Sequence, residues 1–283
     1  MIAPHKWIAS VFLLPDCNLS CSFCASELGF ETATFAQVAE LLHDLRGTSI
    51  RSVVFGGGEP TLWPHGLERI CRLAARLGFL VQVCTNGVAL PEGFERMEGV
   101  KRFILPIEAA DAETHDDLRV SRRQHLQVVL ERVRALTAAG REMTFSTVVT
   151  SRNLDRLAEI GRLLGSLRTG GARIHAWHVY RFVPLGRGGA GDPAGLSVDT
   201  TAFLRACEGA KRLPLEFPVY RRDDLFASTS VEFFWFERIN GQVRRMRLPE
   251  RPAGNDRTTA DSGLPLSSTL HRLHLALPTH TSD

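Results

Sequence analysis

The chain has 283 residues, 44% of them hydrophobic, 23% charged and 8% aromatic, a globular composition with enough length for a sizeable core and incompatible with a collagen-like or wholly disordered chain. Its 34 basic and 31 acidic residues leave a formal charge of +3, too small for the electrostatic footprint of a dedicated nucleic-acid binder. Six cysteines are too few at this length for a disulfide-stapled scaffold, so their spacing is the informative quantity.

Short apolar or β-branched runs alternate with amphipathic stretches, the pattern of βα units on a parallel sheet. The run over 7–14 is interrupted by Ser10 and stops at Pro15 and Asp16 without a small-residue cleavage site, so it reads as a buried strand of a cytoplasmic protein. No stretch approaches the about 20 apolar residues that a membrane span needs. A helix is predicted over 34–45 (Val38, Leu41, Leu42 and Leu45 on one face), a strand over 52–55 and a helix over 66–77 (Leu67, Ile70, Leu73, Leu77). Strands over 80–84 and 102–107 flank a short connection at 93–97. A helix over 126–138 carries Val129, Leu130, Val133 and Leu136 and stops at Gly140, which suits a left-handed C-cap. A strand over 144–149, a helix over 154–167 and a strand over 176–182 complete the series.

Six strands with five connections predict an α/β fold over 1–190, a partial (β/α)6 TIM-like barrel, with a doubly wound open sheet as the alternative from pattern alone. Beyond Pro184 the glycine-rich stretch 185–199 reads as an exposed, lid-like loop. A helix over 201–210, strands over 217–221 and 231–237, and the Asn240-Gly241 turn before 243–246 predict a short C-terminal α/β extension over 191–248 that caps the barrel. Residues 249–283 are rich in Pro, Gly, Ser, Thr and Asp and predict a disordered tail.

Cys17, Cys21 and Cys24 form a C-x3-C-x2-C run directly after the first strand. Three soft thiolates at this spacing suit zinc or an iron–sulfur cluster, and the fourth cysteine usual to either is missing, which leaves one metal position free. A histidine would close a zinc set, but His5 precedes the strand and His43 lies in the next helix. Strand two runs into Phe55-Gly56-Gly57-Gly58-Glu59-Pro60-Thr61-Leu62, where bare backbone admits a close ligand and Glu59 offers a carboxylate to an ammonium group. The run is neither a G-x-G-x-x-G fingerprint nor a phosphate loop. Strand three ends in Thr85-Asn86-Gly87, and polar loops at successive strand ends of a βα barrel converge on the face that holds its active site.

On these residues the chain resembles the radical S-adenosylmethionine (radical SAM) enzymes over 7–188. Cys17, Cys21, Phe23 and Cys24 match the family's C-x3-C-x-aromatic-C hallmark, Gly57, Gly58, Glu59 and Pro60 its G-G-E-P motif, and Thr85-Asn86-Gly87 the usual end of strand three. The resemblance implies that Cys17, Cys21 and Cys24 bind three irons of a [4Fe-4S] cluster, the fourth iron being chelated by S-adenosylmethionine (SAM). It implies that Phe23 packs near the adenine, that the Gly57 to Pro60 segment takes the SAM amino group through backbone carbonyls or the Glu59 carboxylate, and that Asn86 lies at the same site. Glu108 stands where the family often binds ribose, although Pro106-Ile107-Glu108 replaces the common Ser-x-Asp. Arg119 matches an arginine that meets the SAM carboxylate. Ser146 or Thr147 and Asn153 are further candidates, and residues 179–182 would offer backbone to the adenine.

Several of these residues have plainer readings. Glu108 and Arg119 also read as a surface ion pair, and Asn153 as the N-cap of the helix starting at Leu154. His175 and His178 read as one solvated ring and one packed or locally hydrogen-bonded ring rather than as metal ligands. Cys71 and Cys84 read as small buried hydrophobes, and nothing after residue 185 supplies a second cysteine cluster of the kind used by the auxiliary-cluster, peptide-maturing branch.

The chemistry implied is reductive cleavage of SAM to methionine and a 5′-deoxyadenosyl radical, which takes hydrogen from an unidentified small-molecule, nucleotide-like or peptide substrate. So reactive a species needs a closing loop, for which 185–199 is the candidate. Residues 147–150 with Asn153, and 177–180, bear a weak likeness to the viperin-type subgroup, which acts on a nucleoside triphosphate; Thr144 stands where that subgroup tends to carry lysine. Arg181, Arg187, Arg221 and Arg222, near strand ends, are candidates for an anionic substrate. The expected partner is a reducing electron donor such as flavodoxin or ferredoxin, with no membrane or nucleic acid. The alternative is a non-catalytic iron–sulfur or zinc-binding protein on the same fold.

Overall fold

The computed structural model describes residues 5–26, 29–120, 124–223 and 230–247, and the tail expected over 249–283 lies outside them. The first six strands are β1 (Ile8–Phe12), β2 (Ser52–Gly56), β3 (Leu80–Cys84), β4 (Arg102–Pro106), β5 (Glu142–Val149) and β6 (Arg173–Arg181). Each pairs in parallel with the next in chain order. A doubly wound sheet reverses its strand order at a switch point, and this one does not, so the chain is an α/β partial barrel.

Helices α1 (Phe35–Leu45), α2 (Leu67–Arg76), α4 (His125–Ala138) and α5 (Leu157–Thr169) form where their apolar stripes predict. Thr34 opens α1 with a capping box: its hydroxyl accepts from Gln37 N at 3.3 Å, and Gln37 Oε1 accepts from Thr34 N at 2.8 Å. The helices cover one face of the sheet, where Val11, Phe55, Val83, Leu105, Phe145 and Trp177 are buried. Alternate residues turn to the concave inner face, and many there are only half-buried. The helix expected from residue 154 is divided, a short 3-10 turn at Leu154–Arg156 preceding α5.

A two-turn helix absent from the sequence reading is α3 (Ala112–Arg119), capped by Asp111, whose side chain accepts from Thr114 N at 2.8 Å. Only His115 and Leu118 of α3 are buried, so it carries no apolar stripe. Residues after 185 enter the sheet at both of its edges. β7 (Val219–Arg222) pairs in parallel with β6, while β8 (Val231–Ile239) pairs in parallel with β1 and forms an antiparallel hairpin with β9 (Gln242–Arg247). Helix α7 (Thr200–Lys211) packs on α5.

The 185–199 stretch is only in part the exposed loop expected: Ala190, Gly191, Pro193, Gly195, Ser197 and Asp199 are exposed, but the rest is held against the fold. It begins with a single turn, α6 (Gly186–Gly189), and Gly186, Gly189 and Leu196 are buried. Ser151 ties it down, donating from N to Leu196 O at 3.0 Å and from Oγ to Gly195 O at 2.7 Å.

Candidate active site

The cysteine loop leaves β1 and folds over the C-terminal ends of the strands. Leu19, Cys21 and Phe23 point inward and pack with Leu118, Phe182 and Leu196, while Cys17 and Cys24 are half-buried at the edge of this small apolar cluster. The loop is held from α3, since Ser22 donates from both N and Oγ to Leu118 O at 3.2 Å. The Arg119 guanidinium lies 5.1 Å from the Phe23 ring centroid, and its Nη1 is 3.8 Å from Cys21 Sγ.

The loop after β2 is zipped to the chain leading into the cysteines: Gly58 N donates to Leu14 O at 2.7 Å and Glu59 N to Asp16 O at 2.8 Å. A Cβ at residue 58 would stand 1.9 Å from Asp16 O, so only glycine lets the two backbones meet. Pro60 begins a short turn and is buried. Glu59 is 1% exposed. Its Oε1 accepts from Thr61 Oγ1 at 2.7 Å and Thr85 Oγ1 at 2.6 Å, and its Oε2 from Asn86 N at 2.7 Å. Burial raises its pKa and these bonds oppose the rise. The carboxylate expected to meet an ammonium group thus ties the end of β2 to the end of β3.

Asn86 reaches the cysteines directly. Its Nδ2 donates to Asn18 Oδ1 at 2.7 Å and lies 3.6 Å from Cys17 Sγ, and its Oδ1 accepts from Val88 N at 2.9 Å. Its backbone carbonyl accepts from His125 Nε2 at 2.9 Å, and His125 Nδ1 lies 2.8 Å from His115 Nε2. His115 Nδ1 in turn accepts from Glu108 N at 3.0 Å. Since the Glu108 amide must donate and the Asn86 carbonyl must accept, each ring is neutral with its proton on Nε2. Burial, the nearby Arg119 charge and, at His115, the second ring agree, pushing His115 down to about 2 and His125 to about 4. Two stacked rings, 5.1 Å apart, thereby join the ends of β3 and β4. The sequence reading missed them. Their one signal was a pair of histidines ten residues apart flanking the α3–α4 connection.

Glu108 and Arg119 are not a surface pair. Glu108 is 0% exposed, and its Oε1 accepts from Arg119 Nη2 while Oε2 accepts from Val148 N at 2.8 Å. Burial raises the Glu108 pKa against the opposing charge of Arg119. Asn153 does not cap its own helix. Its Nδ2 donates to Glu108 O at 2.8 Å and Val148 O at 3.0 Å, and its Oδ1 accepts from Thr150 N at 2.7 Å. On β5, Ser146 is half-buried on the inner face, whereas Thr147 turns outward, accepting from Trp177 Nε1 at 2.9 Å and donating to Ile107 O at 2.5 Å.

Of the remaining residues, His175 is exposed and His178 packs between rings, whereas Cys71 is buried. Cys84 departs from expectation: at the end of β3 it opens onto the inner face, where surrounding protein and the Glu59 carboxylate push its thiol up to about 11. No three His, Cys, Asp or Glu side chains among the described residues are gathered as ligands for a single ion. A cubane asks each thiol for a different iron, so its ligands stand farther apart than those of zinc.

Two guanidinium nitrogens beside the loop, Arg119 Nε and Arg187 Nε, are buried with no hydrogen-bond partner among the described residues. Burial works against the Arg187 charge, but the Cys24 and Cys17 sulfurs outweigh it and raise its pKa. Three thiolates on an iron–sulfur core carry net negative charge, which orphaned cationic donors on two sides would satisfy. The residues present fit a cluster.

A family model described as the radical SAM superfamily matches residues 11–164. Curated relatives include proteins named AdoMet-dependent heme synthase from Methanosarcina barkeri, 30% identical over 190 residues (64% of this chain, 52% of the relative), and Nitratidesulfovibrio vulgaris, 30% identical over 179 residues (61% and 47%). The chain spans about half the length of these relatives. Among solved structures, Streptococcus suis SuiB bound to S-adenosylmethionine aligns with a TM-score of 0.65 at 13% identity, covering 78% of this chain and 51% of SuiB. anSMEcpe with bound AdoMet and a Kp18Cys peptide aligns with a TM-score of 0.56 at 15% identity, covering 72% and 59%. At these identities the likeness is one of fold.

Proposed function

Because this chain belongs to the radical SAM superfamily, we propose that Cys17, Cys21 and Cys24 hold a [4Fe-4S] cluster whose fourth iron takes SAM, and that the protein abstracts hydrogen from a substrate seated on the inner face of the sheet. The observation that carries the reading is the pair of orphaned buried guanidinium nitrogens beside a three-thiol loop. When bound, the cluster and SAM supply a carbon radical able to take hydrogen from an unactivated position.

The chain's own residues position and shield. The Gly57 and Gly58 carbonyls are left to receive the SAM ammonium, since the Glu59 carboxylate braces β2 against β3. Arg119, held by Glu108, presents its remaining donors to the SAM carboxylate. Ser146 and the backbone of residues 179–182 line the side toward ribose and adenine, while Asn86 and Asn153 hold the strand ends. Phe23, Phe182 and Leu196 exclude water from one flank of the thiols. A reducing donor such as flavodoxin or ferredoxin, in the cytoplasm, completes the assignment.

Two curated relatives are named for haem synthesis, and a match over about half their length supports shared radical chemistry rather than a shared substrate. After anaerobic reconstitution and reduction, the protein is expected to hold about four irons and give an EPR signal that moves when SAM is added, because SAM ligates one iron. An unmoved signal, or zinc in place of iron, would favour the non-catalytic alternative.

A further inference from the structure

The inner face of β6 and β7 carries a group of side chains that the cluster and SAM do not account for. The pairing register sets His178 beside Tyr220 and Tyr180 beside Arg222. The His178 ring stacks on Tyr180 at 6.1 Å and 22° and tilts against Tyr220 at 5.3 Å and 55°. Arg222 Nε donates to His178 Nδ1 at 3.3 Å, and the guanidinium lies 5.4 Å from the Tyr220 centroid. Tyr220 remains 42% exposed, a flat surface with nothing stacked on its open side among the described residues.

The four arginines near the strand ends differ in their partners. Arg221 pairs with Asp223 at 2.9 Å, Arg181 donates to Thr200 Oγ1 at 2.7 Å and Asp223 O at 3.2 Å, and Arg187 donates to Pro15 O at 2.9 Å. Arg222 faces inward with no carboxylate partner among the described residues, and its Nη donors are left over. His178 accepts from it through Nδ1 but brings no negative charge, the ring being held neutral, down at about 3, by burial and the charges of Arg222, His175 and Arg102. Deeper on the same face, Arg102 Nε and Thr144 Oγ1 are buried without partners. Arg102 is nevertheless matched by Glu142, its Nη2 donating to Oε2 at 3.1 Å, so the uncompensated charge on this face is that of Arg222.

An unmatched guanidinium lying against rings is costly to desolvate unless an anion meets it. Its planar fork fits a carboxylate two-fold, and the adjoining ring faces suit a flat, conjugated body. A phosphoryl group, with its higher charge and three oxygens, would call for more than one free cation at this spot. We propose that this face is the substrate subsite, taking a flat conjugated molecule against the open face of Tyr220 with its carboxylate on Arg222. The subsite rests on the radical SAM reading for its chemistry but not for its binding.

Pyrene-1-carboxylate, titrated by fluorescence into the reconstituted protein with SAM present, tests it directly. The wild type is expected to bind the probe at least about tenfold more tightly than neutral pyrenemethanol, and Arg222→Gln to remove that preference, since one charge-assisted bidentate contact is worth about a factor of ten or more. Arg221→Gln, on the opposite face of the same strand and paired with Asp223, is the matched control and should leave the preference intact. No binding to the wild type at about 1 mM probe, equal affinities for the two probes, or an Arg222→Gln affinity within about twofold of wild type would overturn the proposal. So would displacement of the probe by equimolar inorganic phosphate, which would change the ligand class. Iron content and SAM cleavage, measured on the same preparations, distinguish failure of the subsite from failure of the radical SAM reading.

Discussion

A Gly188→Ala variant is expected to fold and yet bind its iron about ten- to a hundredfold more weakly, the range seen when a residue supporting metal ligands is lost. A Cβ at residue 188 would stand 2.1 Å from Cys21 O and 2.8 Å from Cys24 N. Both obstacles are backbone, so neither can swing aside as a long side chain would, and either α6 or the cysteine loop must move. The neighbouring bonds are lost with that movement, among them Gly188 N to Cys24 O at 3.1 Å and Arg187 N to Ser26 O at 3.0 Å. The main core lies on the helix-covered face of the sheet and does not include α6, so secondary structure and the thermal transition should be close to wild type. Iron and sulfide per chain after reconstitution, with far-ultraviolet circular dichroism as the control for folding, check the expectation. Full iron loading would show that α6 merely rests on the loop.

Arg119→Met is expected to destabilise the apoprotein by about 3–5 kcal/mol at neutral pH, the usual cost of leaving one partner of a buried ion pair alone. Glu108 is 0% exposed, and without Arg119 it keeps only the Val148 amide at its other oxygen. Burial already raises the Glu108 pKa above its unfolded value, and loss of the opposing guanidinium raises it further. Between the unfolded pKa and this raised one, the folded state binds more protons than the unfolded state, so stability falls as pH rises. The defect should therefore be smallest below the ordinary carboxylate range and grow toward neutrality. Urea unfolding at several pH values checks this, and Glu108→Gln combined with Arg119→Met should recover much of the loss. A pH-independent defect would mean that lost packing against Phe23, rather than a stranded charge, is responsible.

The parts of the molecule legible in its sequence are those where one periodicity decides. β3 falls on 80–84 as expected, and Val38, Leu41, Leu42 and Leu45 face the core because a 3.6-residue repeat has few other solutions. The cysteine run, the Gly57 to Pro60 segment and Asn86 came together because strand ends of a βα fold share one face. What stayed hidden depends on three-dimensional approach. α3 has no apolar stripe to reveal it, and the link between His115 and His125 exists only once α3 and α4 fold back between β3 and β4. The glycines at 186, 188 and 189 look alike in a loose lid and in a turn pressed onto another backbone, and the close approach of Gly186 to Ala25 and of Gly188 to Cys21 separates the two. Cys84 was misread because burial was inferred from its strand, whereas the inner face of a partial barrel is open at the strand ends.

If Cys17, Cys21 and Cys24 hold a cluster whose open fourth iron position takes SAM, reductive cleavage must yield 5′-deoxyadenosine. Reconstituted anaerobically, reduced with dithionite and given SAM, the wild-type protein is expected to release 5′-deoxyadenosine, and Cys21→Ala, treated in the same way, is expected to release none. A wild-type preparation that carries about four irons and binds SAM, yet yields no more 5′-deoxyadenosine than Cys21→Ala, would show that this chain does not cleave SAM reductively.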